Sequence, residues 1–445
     1  MAALVLGGGA CTGSAQDPAA TAAAPATAVG TGTSRSTANS GASLTPTVDA
    51  QTTTVDPDEA RHQGLVELVG RRALALRSGD RQAWLETVSD PGSPFGQRQA
   101  AVFDRMRLLP ITDFGQRGVA IAPALPAARV AAVGADAWVS TVQMAYRLAG
   151  YDRVPRTFTA SFTVVRTPVG WRLADDSDGV TQPQPWDLPS MAVLSSPTTL
   201  VIGSAPAATL KSYLALGDAA HARITGIWGS ALPGVLVAPA TVDELATQLQ
   251  RPTSKGLDQV AAITDGPITT GSPATSDRIY LNPQAFDRLT ADGRRVVVTH
   301  EMTHVTVRGT TTRPVPIWLS EGYADYVGFT GLRLPPRTVA ADLLVKVRAG
   351  AGPTRLPVQG DFDPRQGVIA PTYNAAWLAV TRMAQVHGPD KVVAFYRAVA
   401  GDLVVDKAIA DDPAAVARQA FGAVLGTSEE TFVADWLGYL KELSR

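Results

Sequence analysis

Residues 300–304 read His-Glu-Met-Thr-His, and no other stretch constrains the fold as tightly. The chain has 5 His and 9 Glu among 445 residues. Two of the first and one of the second fall into this spacing by accident in roughly one chain per thousand of this composition. The pattern has a chemical use only on an α-helix, where residues four apart lie one turn above each other and both imidazoles face one point. On propensity alone the preceding Val296-Val297-Val298 reads as a strand, because β-branched side chains lose rotamer freedom in a helix. The histidine spacing overrides that preference. It predicts a helix opening at Thr290 as N-cap and buried in a domain centre by its apolar run.

Two imidazoles do not complete a catalytic metal site, which usually takes three protein ligands and leaves a position open. Sixteen residues separate His304 from Glu321, within Trp318-Leu319-Ser320-Glu321-Gly322-Tyr323-Ala324-Asp325-Tyr326. Pro314 and Pro316 suit a loop entering a helix. On that helix Glu321 and Asp325, four apart, share a face. Glu321 is then the third ligand, and Asp325 accepts the outer N–H of a ligand histidine and fixes its tautomer. The alternative is a solvated pair of helix charges. The metal reading gives one Zn2+ held by His300, His304 and Glu321, with Glu301 beside it. Zinc follows from donor type, and other divalent ions also accept two His and a carboxylate.

Composition removes competing chemistries. The only cysteine, Cys11, excludes intrachain disulfides and cysteine-based metal clusters. With 39 basic and 40 acidic side chains the net charge is -1, so nucleic acid is not an expected partner. Residues 1–11, MAALVLGGGAC, resemble the tail of a bacterial lipoprotein signal with Cys11 as the lipidated residue, which implies an extracytoplasmic chain, secreted or anchored to the outer face of the membrane through that lipid alone. Residues 12–55 are Ala, Thr, Ser, Gly and Pro with few large apolar side chains, so they read as a disordered tether.

Residues 56–187 form a first predicted unit. Asp56-Pro57 reads as cap and first helical position, and helix-spaced apolar residues follow at Leu65, Leu68, Val69 and Leu76. Further helical stretches carry Trp84 and Phe103, and then the period changes to alternation. Strands are expected at 119–122, 128–133, 137–148 and 158–166, closed by Trp171-Arg172-Leu173. Helices first and an antiparallel sheet afterwards make this an α+β unit. Phe103-Asp104, Tyr146-Arg147-Leu148 and Gly170-Trp171-Arg172-Leu173 in this order resemble the NTF2-like cone fold. His62 reads as a solvated helix residue and His221 as a structural one.

The second predicted unit spans 195–443. It opens with a short strand at Thr199-Leu200-Val201-Ile202, a helix around 208–226, and strands at Val235-Leu236-Val237 and Ile279-Tyr280-Leu281. With HEMTH and WLSEGYADY in place, this part resembles the gluzincin metallopeptidases, most closely the peptidase MA-like domain. Tyr373-Asn374-Ala375-Ala376-Trp377-Leu378, His387-Gly388 and Trp436-Leu437-Gly438-Tyr439-Leu440 are similar to its helical C-terminal half. The resemblance implies a zinc peptidase acting on peptides or proteins. Glu301 is its general base, and Tyr373, or else His387, donates to the developing oxyanion. Substrate backbone is expected to pair with a strand edge, for which Arg278-Ile279-Tyr280-Leu281-Asn282 is the candidate. The Gly-x-Met-x-Asn segment by which aminopeptidase relatives hold a free amine is absent from the sequence. The competing expectation is a non-catalytic envelope binding protein with a peptidase-like fold.

Overall fold

A computed structural model describes residues 56–121, 125–134, 136–257, 260–266, 276–363 and 367–445. Cys11 and the 12–55 tether lie outside the described residues. The first helix begins where the sequence places it. Asp56 accepts the amide of Asp58, and Pro57 supplies the fixed φ of the first turn. Helices α1 (Pro57–Ser78), α2 (Arg81–Leu85) and α3 (Pro94–Met106) then precede a four-stranded antiparallel sheet in the order β1-β2-β3-β4. Its strands are β1 (Ile111–Ile121), β2 (Trp138–Leu148), β3 (Arg156–Thr167) and β4 (Gly170–Asp175).

Two strand expectations change here. β1 starts at Ile111 rather than 119, because register shifts around Thr112–Gly118 and a left-handed Asp113 break the alternation by which a strand is read. Residues expected as a strand at 128–133 form helix α4 (Ala127–Val133), where alanine, the best helix former, outweighs two valines.

A second sheet has the order β5-β6-β7-β9-β8, built from β5 (Ala192–Ser195), β6 (Thr199–Gly203), β7 (Gly234–Ala238), β8 (Ala262–Asp265) and β9 (Arg278–Leu281). β6, β7 and β9 run parallel, linked by α5 (Ala207–Trp228) and α6 (Val242–Gln248), while β5 and β8 are antiparallel edges. The expected edge, Arg278–Asn282, is therefore an inner strand. Four-residue β8 covers it, too short and mixed a run to register as a strand in the sequence.

Side chains alternate between the two faces of this sheet. Val201, Leu236, Ala238, Ile279 and Leu281 join the core built with the following helices. Leu200, Ile202, Val235, Val237 and Tyr280 join the core of the N-terminal unit, with Tyr146, Phe158 and Trp186. One core thus runs across the boundary expected near residue 190.

The rest is helical: α7 (Pro283–Asp287), α8 (Ala291–Arg308), α9 (Ile317–Phe329), α10 (Pro336–Val339), α11 (Ala341–Arg348), α12 (Ala370–His387), α13 (Pro389–Arg397), α14 (Pro413–Ala420) and α15 (Glu429–Ser444). The chain is α+β, with an antiparallel sheet near the N-terminus and a helical C-terminal half. Thr290 caps α8 by accepting the amide of Gly293, and every residue from Val296 to Val307 is buried. Burial on all sides is what carries three consecutive valines into a helix. α9 lies between α8 and α12 at close approach: a Cβ on Gly322 would meet the carbonyl oxygen of Ala376 at 2.4 Å. Among the described residues, no helix is long and apolar enough to cross a membrane.

Candidate metal centre

α8 and α9 pack antiparallel, and residues one turn apart on each helix fall opposite each other. Gly328 meets Val296, Asp325 meets His300, and Glu321 meets both His300 and His304. The i, i+4 spacing of Glu321 and Asp325 thereby matches that of His300 and His304.

The three potential ligand atoms form a near-equilateral triangle. His300 Nε2 and His304 Nε2 are 3.0 Å apart, and Glu321 Oε2 lies 3.3 and 3.4 Å from them. His300, His304 and Glu321 can hold a metal ion, and among the described residues they are the one such group of three. Behind them His300 Nδ1 is 2.7 Å from Asp325 Oδ1. Assigning the ring proton to Nδ1, toward that carboxylate, leaves the Nε2 lone pair facing His304 and Glu321.

Burial and charge sharpen this reading. Glu321 and Asp325 are 0% exposed, and His300, Glu301 and His304 no more than 3%. Three carboxylates thus share a buried space with two imidazoles. Neither oxygen of Glu321 accepts a hydrogen bond, and the nearest polar atoms to Oε2 are the two imidazole nitrogens at 3.3 and 3.4 Å. A buried carboxylate without donors costs several kcal/mol (roughly) unless a cation compensates it. Burial pushes the Glu321 carboxyl up, yet the positive charge that His304 and His300 carry when protonated outweighs it and holds it down to about 2. Burial likewise pushes His300 down, and the Asp325 carboxylate overcomes that, leaving the imidazole well above its usual value.

Glu301 follows His300 on α8. Its Oε2 accepts a 2.6 Å hydrogen bond from Thr264 Oγ1 on β8, and its Oε1 has no hydrogen-bond partner. Thr264 escaped the sequence reading. Its one trace there is a short apolar run, Ala261-Ala262-Ile263, ahead of an Asp265-Gly266-Pro267 turn.

Of the two expected oxyanion donors, His387 lies away from these ligands. Tyr373 is buried on α12, edge-on to Phe362 at 4.9 Å between ring centres. His387 ends α12 and lies near Asp435 of α15, whose carboxyl it helps to keep low, rather than beside the metal ligands. The chain matches no protein-family model, no curated protein and no solved structure in the comparisons made.

Proposed function

We propose that the protein is a zinc-dependent peptidase of the gluzincin type, acting outside the cytoplasm and attached to the membrane through Cys11. One observation carries this reading: the fully buried Glu321 carboxylate has no donor of its own, opposite two imidazole nitrogens 3.0 Å apart. A tetrahedral zinc with ligand distances of about 2.0–2.2 Å separates its ligands by about 3.3–3.5 Å. The Glu321–imidazole separations of 3.3 and 3.4 Å fit that edge, and the 3.0 Å between the two imidazole nitrogens is short of it by about 0.3 Å.

His300, His304 and Glu321 hold the ion, and Asp325 orients His300. When bound, zinc acts as a Lewis acid toward water and the scissile carbonyl. Glu301, adjacent to a ligand and with Oε1 unengaged, takes a proton from the attacking water and returns it to the leaving nitrogen as the C–N bond breaks. β8, the sheet edge beside Glu301, is the strand along which substrate backbone aligns. Tyr373 is the proposed oxyanion donor.

The test is zinc stoichiometry and cleavage of a denatured protein mixture by the full chain, wild type beside His304→Ala, Glu301→Gln and Tyr373→Phe. The reading expects about one zinc per chain in wild type and in Glu301→Gln, little in His304→Ala, and cleavage lowered at least ~100-fold in Glu301→Gln. Unchanged turnover in Tyr373→Phe removes that residue from the mechanism. Zinc without cleavage in wild type refutes peptidase action and leaves a metal-holding binding protein. Failure of wild type to take zinc refutes the metal reading itself.

A further inference from the structure

We infer that the N-terminal unit is a working part of this site: the β2–β3 turn together with Arg156, the first residue of β3, clamps β8 and its neighbours, and through Thr264 it positions the Glu301 carboxylate. The inference rests on the peptidase reading for the role of Glu301, and on geometry alone for the clamp.

Strand alternation divides the labour of β8. Ala262 and Thr264 point toward α8, where Thr264 donates to Glu301, while Ile263 and Asp265 point toward the N-terminal unit. β8 has only four residues and one neighbouring strand, so its own ladder holds it weakly. α8 supports its inner face through Thr264 and, by Arg308 donating to the Gly266 carbonyl at 3.3 Å, its end, and the N-terminal unit supports its other face. Arg156 donates to the Asp265 carboxylate, to the Asp265 carbonyl at 3.4 Å and to the Ser276 carbonyl at 3.1 Å. Its side chain is only 14% exposed. Arg153 reaches the carbonyl of Gly309, just past the end of α8, at 3.1 Å. Asp152 makes a two-pronged ion pair of 2.7 and 2.8 Å with Arg278 of β9, and both side chains are buried.

Three residues within five positions therefore reach β8, β9 and the end of the helix that carries His300, Glu301 and His304. The buried Asp152–Arg278 pair is the anchor, since removing one partner would leave an uncompensated charge. Arg156 is the positioning contact. It fixes the strand segment next to Thr264, and Thr264 in turn sets which way the Glu301 carboxylate presents Oε1. Thr264, Asp265 and Arg156 are positioning residues and touch none of the metal ligands.

The test uses the full zinc-loaded chain with Arg156→Ala, Thr264→Val, the double variant and Thr264→Ser. Zinc stoichiometry and affinity are expected unchanged, because the ligands are intact. Each of the first two variants is expected to lower kcat by about tenfold at a KM within about twofold, with Thr264→Ser close to wild type. If Arg156 acts through Thr264, the double variant is no slower than Thr264→Val alone. Amide hydrogen exchange across 262–265 is expected to speed up in Arg156→Ala, and Asp265→Asn reproduces this with a smaller structural change. Additive kcat losses, or exchange at 262–265 that matches wild type, would overturn the inference. Should the wild-type chain cleave nothing, the peptidase reading fails by itself, and the exchange measurement still decides the clamp.

Discussion

Removing the carboxylate behind His300 separates what the ligands contribute from what holds them in place. Asp325 Oδ1 lies 2.7 Å from His300 Nδ1, and both side chains are buried. A hydrogen bond to a charged acceptor of this kind contributes about 1.5–3 kcal/mol net. Asn keeps the shape and one acceptor oxygen but loses the charge, which removes roughly half of that. Asp325→Asn is therefore expected to weaken zinc binding by about 3–12-fold at 1.4 kcal/mol per decade. Asp325→Ala also strands the Nδ1–H in an apolar site, and a loss toward the upper end of about 10–100-fold follows. The assay is competition for zinc against a chromophoric chelator at one near-neutral pH. The same change is readable as stability. At zinc a thousandfold above the wild-type Kd, binding adds about 4.1 kcal/mol, which falls to about 2.7 when affinity drops tenfold. For a single folded body of this size, at about 2.1 cal/mol/K per residue, Tm then falls by roughly 2 °C. A Kd for Asp325→Ala within about twofold of wild type would show that His300 keeps its orientation without the carboxylate, and the reasoning would be wrong.

Stripping the metal with a chelator should lower Tm by several degrees in wild type (roughly, by the same linkage) and not in His304→Ala, with recovery on adding zinc, all read by calorimetry. Gly322→Ala places a Cβ 2.4 Å from the Ala376 carbonyl oxygen, so α9 and α12 must part, at a cost of about 1–3 kcal/mol in a urea titration. Arg129 donates to Asp178 and Asp175, and its hydrogen bonds hold the Asp178 carboxyl below its usual range. A carboxyl depressed in the folded state contributes stability above its unfolded pKa of about 3.9 and loses it as pH falls through the lower folded value. Arg129→Ala should thus be less stable than wild type by about 0.5–1 kcal/mol near neutrality, with the difference vanishing in acid as pH falls through the depressed folded value. Residues 188–445 expressed alone should bind a hydrophobic dye and aggregate, because Leu200, Ile202, Val235, Val237 and Tyr280 lose their cover. At about 1.5–3 kcal/mol per side chain, that loss rivals the whole stability of a domain.

The candidate centre was legible because its chemistry demands fixed intervals. His300 and His304 are useful to one ion only on a helix, and that demand correctly outweighed the β-propensity of Val296–Val298. Glu321 and Asp325 were legible for the same reason, as one turn of a second helix that has to match one turn of the first. The fold class was readable too, since long helices and long strands announce their periods. Short or irregular elements did not. α4 lost to its valines, β1 was hidden by its bulges, and β8 is four residues whose strand character comes from pairing with β9.

The missed strand matters most, because it carries a contact that no local pattern encodes. A threonine that holds a glutamate 37 positions away leaves no periodic mark, and neither does an arginine that grips the next residue from a different sheet. Periodicity reports how a segment meets its own neighbours, whereas the Arg156–Asp265 and Asp152–Arg278 pairs are set by how two sheets meet. The same limit explains the boundary. Composition changes near residue 190, so the sequence divides there, but the face of the second sheet bearing Leu200, Val235 and Tyr280 is apolar and the N-terminal unit is what covers it. A sheet of parallel inner strands is stable only with both faces buried. Helices α5 and α8 cover one face of this sheet. The unit that precedes it in the chain supplies the other cover, and its β2–β3 turn comes to lie against the strand that holds Glu301.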